Sequence, residues 1–463
     1  MSSPDRAVSR AEIVGSDLCI GCGGCARPDT GMRWDTHGQR KPDGPAAWLS
    51  APDPVLTRTC PFSPGAAADE NDIAEARFPD APATHDLIGR YEAAYVGHAE
   101  EDGFRMGGSS GGMVSWVAAE LLRRGLVDGV AHVSPRDPAE DGGRFFGYRI
   151  SRSVEAVHEG AKSRYFPVDL AEVLEEIRTV PGRYAVVGVP CFIKAVHLLR
   201  REEPVLRERI AFTLGLFCGH NKSARMVESF AWQLSTRLPA VRAVEYRLKQ
   251  PDRPANWYTA HLALRDGSIR QQDWWHLADG DWGAGFFQNP ACNYCDDVVA
   301  ETADVAFGDA WVEPYSSDGR GTNVVVVRSP EIAAMVDQAR AENRLTLDQV
   351  DADFIVQTQA AGFRHRREGL AYRLTWAKGG LTPVKRVLPG RGALPLRRRL
   401  VYRLRFGIAK WSHRIFAAAR RLDRPALYTR WAKASLRLYQ ALTWSQGRLG
   451  AAFDRIERMM AAK

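Results

Sequence analysis

No segment of this chain approaches the roughly 18 consecutive apolar residues that a membrane-spanning helix requires. The first residues, MSSPDRAVSRAEIVGSDL, are polar and charged and lack the apolar core of a signal peptide. The sequence therefore reads as neither membrane-spanning nor exported, and a cytoplasmic location is expected. No fixed-period repeat is visible, which argues against solenoids and propellers. Acidic residues are scarce toward one end. From Lys385 to Lys463 there are 20 Lys and Arg but only Asp423, Asp454 and Glu457, a net +17; with +8 overall, the rest of the chain carries −9. Such asymmetry bears on solubility and association rather than on fold. What is present, 45% hydrophobic and 25% charged residues over 463 positions, suffices for two or three globular domains with substantial cores.

The eight cysteines do not read as disulfides, because a reducing compartment keeps thiols free and leaves close spacing to metal or redox chemistry. Cys19, Cys22 and Cys25 form C-x2-C-x2-C within DLCIGCGGCARPD, and Cys60 precedes Pro61 after 34 intervening residues. Three thiolates at this spacing can wrap one face of an iron-sulfur cubane, and the intervening glycines let the backbone fold closely around it. A four-cysteine zinc site is the alternative, although zinc favours paired C-x2-C arms. The second set is Cys191 in GVPCFIKAV, Cys218 in GLFCGHNKS, and Cys292 with Cys295 in NPACNYCDD. Cys191 and Cys218 each follow an apolar strand pattern, at the sheet edge where open α/β folds bind ligands. A C-x2-C arm can close that site around a second cluster. Zinc and unligated buried thiols remain the alternatives.

Three regions are expected. Residues 1–85, rich in Pro, Gly and Asp, form a ferredoxin-like iron-sulfur segment whose end, PGAAADENDIAEARFPDAPATHD, reads as a linker. Residues 86–376 alternate apolar runs with helical patterns: MVSWVAAELLRR before LVDGVAHV, RYAVVGV before PCFIKAVHLLRR, and RIAFTLGLF before ARMVESFAWQL. This predicts an α/β domain with a mostly parallel or mixed sheet and helices on both faces. Residues 377–463 read as a basic helical extension.

The ordered motifs CIGCGGCA, CP, RMGGSSGGMVSWVAAELLRRGLVDGV, AKSRYFPV, GVPCFIKAV, GLFCGHNKS, CNYCDDVVAETADVAFGDAW and GTNVVVVRS span Cys19 to Arg328. In these the chain resembles the coenzyme F420 hydrogenase/dehydrogenase beta-subunit family, which also includes 7-hydroxymethyl chlorophyll a reductases. The resemblance implies FAD and one or two 4Fe-4S clusters, with the flavin converting two-electron substrate chemistry into one-electron transfers.

Several residues suit such a site. Gly107 to Gly112 open directly into a helix, so Ser109, Ser110, Gly111 and Gly112 can meet flavin phosphates or the ring edge, or simply cap the helix. Lys162, Arg164 and Tyr165 place cations beside an aromatic ring, or form a solvated strand edge; the family commonly has Gly-Ser-Lys-Tyr here. Asn221, Lys222, Gly308 and Asp309 are expected at the same sheet edge, where an Asp also serves as a turn cap. His220 is a candidate proton donor or an exposed loop residue.

The tail, with Arg, Lys, Trp and Leu at helical intervals, fits either an interfacial helix on an anionic membrane at the inner face or a hairpin packed on the acidic body or a partner subunit. Nucleic acid is disfavoured, since no binding module accompanies the charge. The expected function is a flavin-dependent iron-sulfur oxidoreductase exchanging electrons between ferredoxin or another redox protein and an organic substrate or deazaflavin coenzyme. An electron-transfer subunit without its own substrate, and a zinc-stabilised scaffold, are the alternatives.

Overall fold

The alternating apolar and helical patterns between Tyr91 and Gly362 build one eight-stranded sheet. The computed structural model describes residues 6–101, 103–376 and 379–461. The expected boundary at 376/377 abuts Ala377 and Lys378, which lie outside the described residues. We number the strands of the sheet β1 (Ala93–Ala99), β2 (Gly129–Pro135), β3 (Phe146–Ser151), β4 (Tyr184–Gly188), β5 (Ile210–Leu216), β6 (Val305–Asp309), β7 (Asn323–Val327) and β8 (Leu345–Gln349). They lie in the order β8-β1-β7-β6-β5-β4-β2-β3. The centre, β2-β4-β5-β6, is parallel. Both flanks are antiparallel, so the sheet is mixed. YAVVG in β4 and NVVVV in β7 are buried at every position, as strands covered on both faces must be.

Helices α1 (Met113–Arg123), α2 (Pro190–Glu202) and α3 (Arg225–Gln233) fall where the sequence places them. On one face α1 buries Met113, Trp116, Val117 and Leu121 beside Ile332 and Met335 of the helix Pro330–Ala341. On the other, α2 packs Phe192, Val196 and Leu199 with Leu174 and Ile177 of the helix Ala171–Thr179. The sheet thereby carries helices on both faces, and its carboxyl edge is left for the site.

The N-terminal segment consists of short helices and one hairpin, Gly31–Trp34 with Arg40–Asp43. It shares a core with the sheet: Leu18, Ile20 and Phe62 are buried in the cluster that holds Leu174 and Leu199. The stretch expected as a linker is instead packed structure. Asp69 and Asp72 form a capping box on the helix Glu70–Arg77. Glu70 reaches Lys194 at 3.1 Å, and Arg77 reaches Asp304 at 2.8 Å. The charge pairing lay outside what local composition reveals.

Beyond the sheet, α4 (Leu396–Arg421) and α5 (Pro425–Trp444) form an antiparallel hairpin, and α6 (Gly447–Ala461) follows. The apolar stripe of the hairpin, including Ile408, Phe416, Tyr428, Ala432 and Tyr439, is buried in one cluster with Phe230, Trp274 and Phe286. Phe416 stacks on Trp232 at 4.3 Å, and Tyr428 donates to Asp279 at 2.9 Å. Ser412 Oγ accepts from the backbone N–H of Phe287, and Arg420 pairs with Glu228 at 2.9 Å. The hairpin is therefore part of the body, so the face an interfacial helix would give to lipid is consumed by packing. No described helix is long and apolar enough to cross a membrane. A three-stranded antiparallel sheet, Val241–Glu245, Thr259–Leu264 and Ile269–Asp273, lies under this hairpin and was not foreseen from the alternation pattern.

Candidate functional site

A cavity of about 1160 Å³ opens at the carboxyl ends of the central strands, lined by Gly188 at the end of β4, by Leu216 at the end of β5 and the residues that follow it to Lys222, and by Phe307 to Asp309 of β6. This is where open α/β sheets present ligand sites. The structure brings every expected cofactor residue to this one cavity except Gly111. Gly111 sits against β1 and β7 instead, where a Cβ would come within 2.6 Å of the Gly97 carbonyl oxygen and 2.8 Å of Asn323 N.

The glycine-rich loop is shaped by packing rather than by a serine cap. Gly112 is the N-cap of α1 at φ 82°, in left-handed backbone, and no side chain caps it from within the loop. Asn323 of β7 supplies the missing acceptor: its Oδ1 takes the Met113 N–H at 3.1 Å while its amide donates to the Gly308 carbonyl at 2.9 Å. Ser109 and Ser110 are spent otherwise. Ser109 Oγ accepts from Ser163 N at 2.8 Å, joining the loop to the 160s, and Ser110 donates to the Thr322 carbonyl at 2.9 Å. Lys249, which sequence reasoning missed, donates to the carbonyls of Ser110 and Arg320 at 2.8 and 2.6 Å and to that of Arg105. Burial and the neighbouring cations Lys162, Arg105 and Arg247 bring it down to about 7.

Residues 161–166 form a loop, not a strand edge, with Lys162 at φ 92°. Lys162 pairs with Glu245, and Arg164 lies over the Phe146 ring at 4.8 Å, its charge opposed by burial and its pKa brought down to about 10. Tyr165 packs on Trp282 at 4.6 Å. Asp309 is not a turn cap: it pairs with buried Arg247 at 3.0 Å, and that guanidinium lies over Tyr258 at 4.4 Å. His220 is buried rather than exposed and also stacks on Trp282, at 4.4 Å. Burial, then Lys222, Arg405 and Arg366, hold it well below the usual histidine range, so it faces the cavity uncharged. Lys222 is buried, donates to the Phe286 carbonyl at 2.6 Å and rests 4.8 Å from the Trp282 centroid; burial brings it to about 7 against the pull of Asp279 and Asp281.

All eight cysteines are free thiols. Cys19, Cys22 and Cys25 occupy one loop, and Cys60 caps the helix Pro54–Thr59 beside it. Burial foremost, and then Cys60, Cys25 and Cys19, push Cys22 far up; Cys25 and Cys60 rise to about 11 and 12. Cys191 is the second residue of α2, and Cys218 follows β5; Cys292 and Cys295 close the set from the 3-10 turn Pro290–Tyr294. Burial, then Cys295, Cys218, Cys292 and also Cys22, raise Cys191, so each set is a cluster of thiols and the two sets adjoin. Asn221 N–H donates to Cys292 Sγ at 3.3 Å. Arg366, invisible as a motif, faces the second set: it donates to the carbonyls of Cys218 at 3.0 Å and Gly219 at 2.7 Å. Burial opposes its charge, yet the four thiols hold it above the ordinary arginine range. Of the second set, Cys218 lines the cavity itself.

Two family models match this chain: the N-terminal region of the coenzyme F420 hydrogenase/dehydrogenase beta subunit over residues 94–175, and the C-terminal region of the same subunit over residues 182–353, together more than half of the chain. The chain belongs to the coenzyme F420 hydrogenase/dehydrogenase beta-subunit family. Among curated relatives, it is 28% identical over 228 residues to an uncharacterised protein of Nostoc sp., covering 49% of this chain and 52% of that one. The match thus spans about half of that relative's length. It is 22% identical over 352 residues to a component of the F(420)H(2) dehydrogenase of Methanosarcina mazei, covering 73% of this chain and 87% of the other. A chain in a solved structure of the F420-reducing [NiFe] hydrogenase complex from Methanosarcina barkeri is similar with a TM-score of 0.47 and 17% identity, covering 61% of this chain and 92% of that one. The matched beta-subunit regions take in the sheet and the second cysteine set. Cys19, Cys22, Cys25 and Cys60, and the hairpin α4–α5, lie outside them.

Proposed function

We propose that this member of an electron-transfer oxidoreductase family is a flavin-dependent iron-sulfur enzyme with its own substrate cavity. The observation that carries the proposal is the convergence of the flavin candidates on a cavity that Cys218 also lines, with the second thiol set behind it and the first set adjoining through Cys22 and Cys191. When bound, FAD supplies exchange between two-electron and one-electron chemistry, and 4Fe-4S clusters supply one-electron relay.

The residues fit these groups. Each set offers four free thiols in electrostatic contact, the number that a 4Fe-4S cluster takes. Cys19, Cys22, Cys25 and Cys60 would hold one cluster, and Cys191, Cys218, Cys292 and Cys295 the other, with Arg366 and the Asn221 N–H offsetting thiolate charge. Ser109, Ser110, Gly112, Lys162 and Arg164 would receive the flavin phosphates. Tyr165 and Trp282, packed together on the cavity wall, would shield a bound ring from water. Lys222 Nζ holds a proton that leaves near neutral pH, which suits it better than uncharged His220 to supply one. Electrons would be exchanged with ferredoxin or another redox protein beside the first set, and with an organic substrate or deazaflavin coenzyme in the cavity.

The relative from Methanosarcina mazei is one component of a dehydrogenase, and this favours a second reading in which the chain serves a larger assembly. Anaerobic purification followed by iron, sulfide, zinc and flavin analysis tests the first. The expected product is brown, with stoichiometric flavin and two clusters' worth of iron; a colourless zinc protein overturns it. Turnover of an organic substrate by the isolated chain with an artificial donor separates the two readings.

A further inference from the structure

The hairpin does more than cover the body. Arg405 of α4 and Tyr439, Gln440 and Trp444 of α5 line the same cavity as the flavin candidates, although they lie outside the matched family regions. The lining as a whole is unbalanced, with seven Lys and Arg against two Asp and no Glu.

Most of those cations are committed. Lys162 pairs with Glu245 and Arg247 with Asp309. Lys222 is bonded to the Phe286 carbonyl, and Arg164 to that of Ala161 at 2.6 Å. Arg366 faces thiols that would become thiolates. Arg364 is exposed to solvent, whereas Arg405 is not. Its Nε is enclosed and has no hydrogen-bond partner, and no described residue accepts a hydrogen bond from its guanidinium or pairs with it. Burial disfavours its charge, while Tyr439, Tyr402 and Asp281 act from nearby to retain it. Asp281 does not close on it, accepting instead from Ala284 N at 3.1 Å. A half-buried guanidinium that lines a cavity and is paired with no carboxylate is a ready partner for an anion.

Its neighbours place it close to His220 and Lys222, both of which lie against Trp282. Arg405 acts on His220, Lys222 and His365, and Tyr439 stands beside Gly283, the residue after Trp282. The Nε2 atoms of His220 and His365 are likewise enclosed without partners. A planar fork of donors, with two imidazoles beside it whose Nε2 atoms are free, matches a carboxylate or phosphate. We propose that the C-terminal hairpin forms the substrate wall of the cavity, and that Arg405 receives the oxyanion of an organic substrate. This rests on the flavin reading of the same cavity and gives its substrate a chemical class.

The test uses the full chain with 1-naphthoate and its uncharged counterpart 1-naphthamide as probes, read by quenching of tryptophan fluorescence, with and without FAD. The wild-type chain should prefer the carboxylate by about tenfold in both states. Arg405→Gln should abolish that preference by losing naphthoate alone, with naphthamide binding retained as evidence of an intact fold, and Arg405→Lys should keep part of it. Equal binding of the two probes by the wild-type chain, or an unchanged preference in Arg405→Gln, overturns the proposal. So does loss of the preference on loading FAD, which assigns Arg405 to a flavin phosphate. If the chain binds no flavin yet shows the Arg405-dependent preference, the flavin reading falls and the oxyanion site stands.

Discussion

Lys385 Nζ lies 3.1 Å from Asp296 Oδ1, and both side chains are almost wholly withdrawn from solvent. The pair joins the start of the basic extension to the residue after Cys295. Arg386 continues the contact, reaching Glu301 at 2.7 Å. Arg386 Nε also lies 3.6 Å from Asp296 Oδ2, so Lys385→Met leaves Asp296 partly compensated and should destabilise the chain by less than the roughly 3–5 kcal/mol of a fully orphaned buried charge. Asp296→Asn in the same background should recover much of that loss. Urea unfolding of the two variants and the wild-type chain gives the comparison; equal stability of single and double variants would refute the coupling.

Arg366 should set the potential of whatever the second thiol set holds. Its positive charge favours the more reduced, more negative state, so Arg366→Met should move that centre's midpoint to lower potential by about 60 mV or more, a tenfold change for one electron. The other centre should move little. Redox titration followed by electron paramagnetic resonance distinguishes them, and two unmoved midpoints would sink the idea.

The two thiol sets should lose metal separately. Cys22→Ser is expected to remove about half of the bound iron and sulfide, Cys292→Ser the other half, and the double variant nearly all. Loss of all iron in either single variant would mean that the sets are not independent centres.

Stability should fall on mild acidification. His413 on α4 donates from Nε2 to the Gln288 carbonyl, and burial holds it down to about 4; His132 in β2 is held to about 4 by burial and then Arg149. Both lie below the ordinary value near 6.5, so their folded forms are neutral where the unfolded chain takes up protons. Stability is complete above about pH 6.5 and declines toward pH 4, by about 3 kcal/mol for a fully buried imidazole. His413→Gln should flatten its share of the pH profile of urea midpoints between 6.5 and 4.

The central strands and the helices behind them were legible because short β-branched runs such as YAVVG and NVVVV can be buried only in a covered sheet. The loop residues were legible as a set, since they follow strand ends that a parallel core brings to one edge. Their individual roles were not. Asp309 is claimed by Arg247, which lies 62 positions away, and the Met113 N–H at the start of α1 is taken by Asn323 from β7. Such partners are chosen by tertiary packing and leave no local pattern. Arg366, Lys249 and Arg405 escaped notice for the same reason: an isolated cation in a basic or helical stretch looks like solvated surface until its neighbours are known. The tail shows the same limit from the other side, because its amphipathic period suits either lipid or a protein core, and only the partners Trp232, Phe287 and Asp279 decide between them.

The position of the hairpin in the chain gives the cavity a timetable. The β1–β8 walls, both thiol sets and the glycine-rich loop are all synthesised before Arg405, Tyr439 and Trp444. The cavity therefore gains its last wall only once the C-terminal hairpin has been made, and a chain ending before Arg405 would present these strand ends without it.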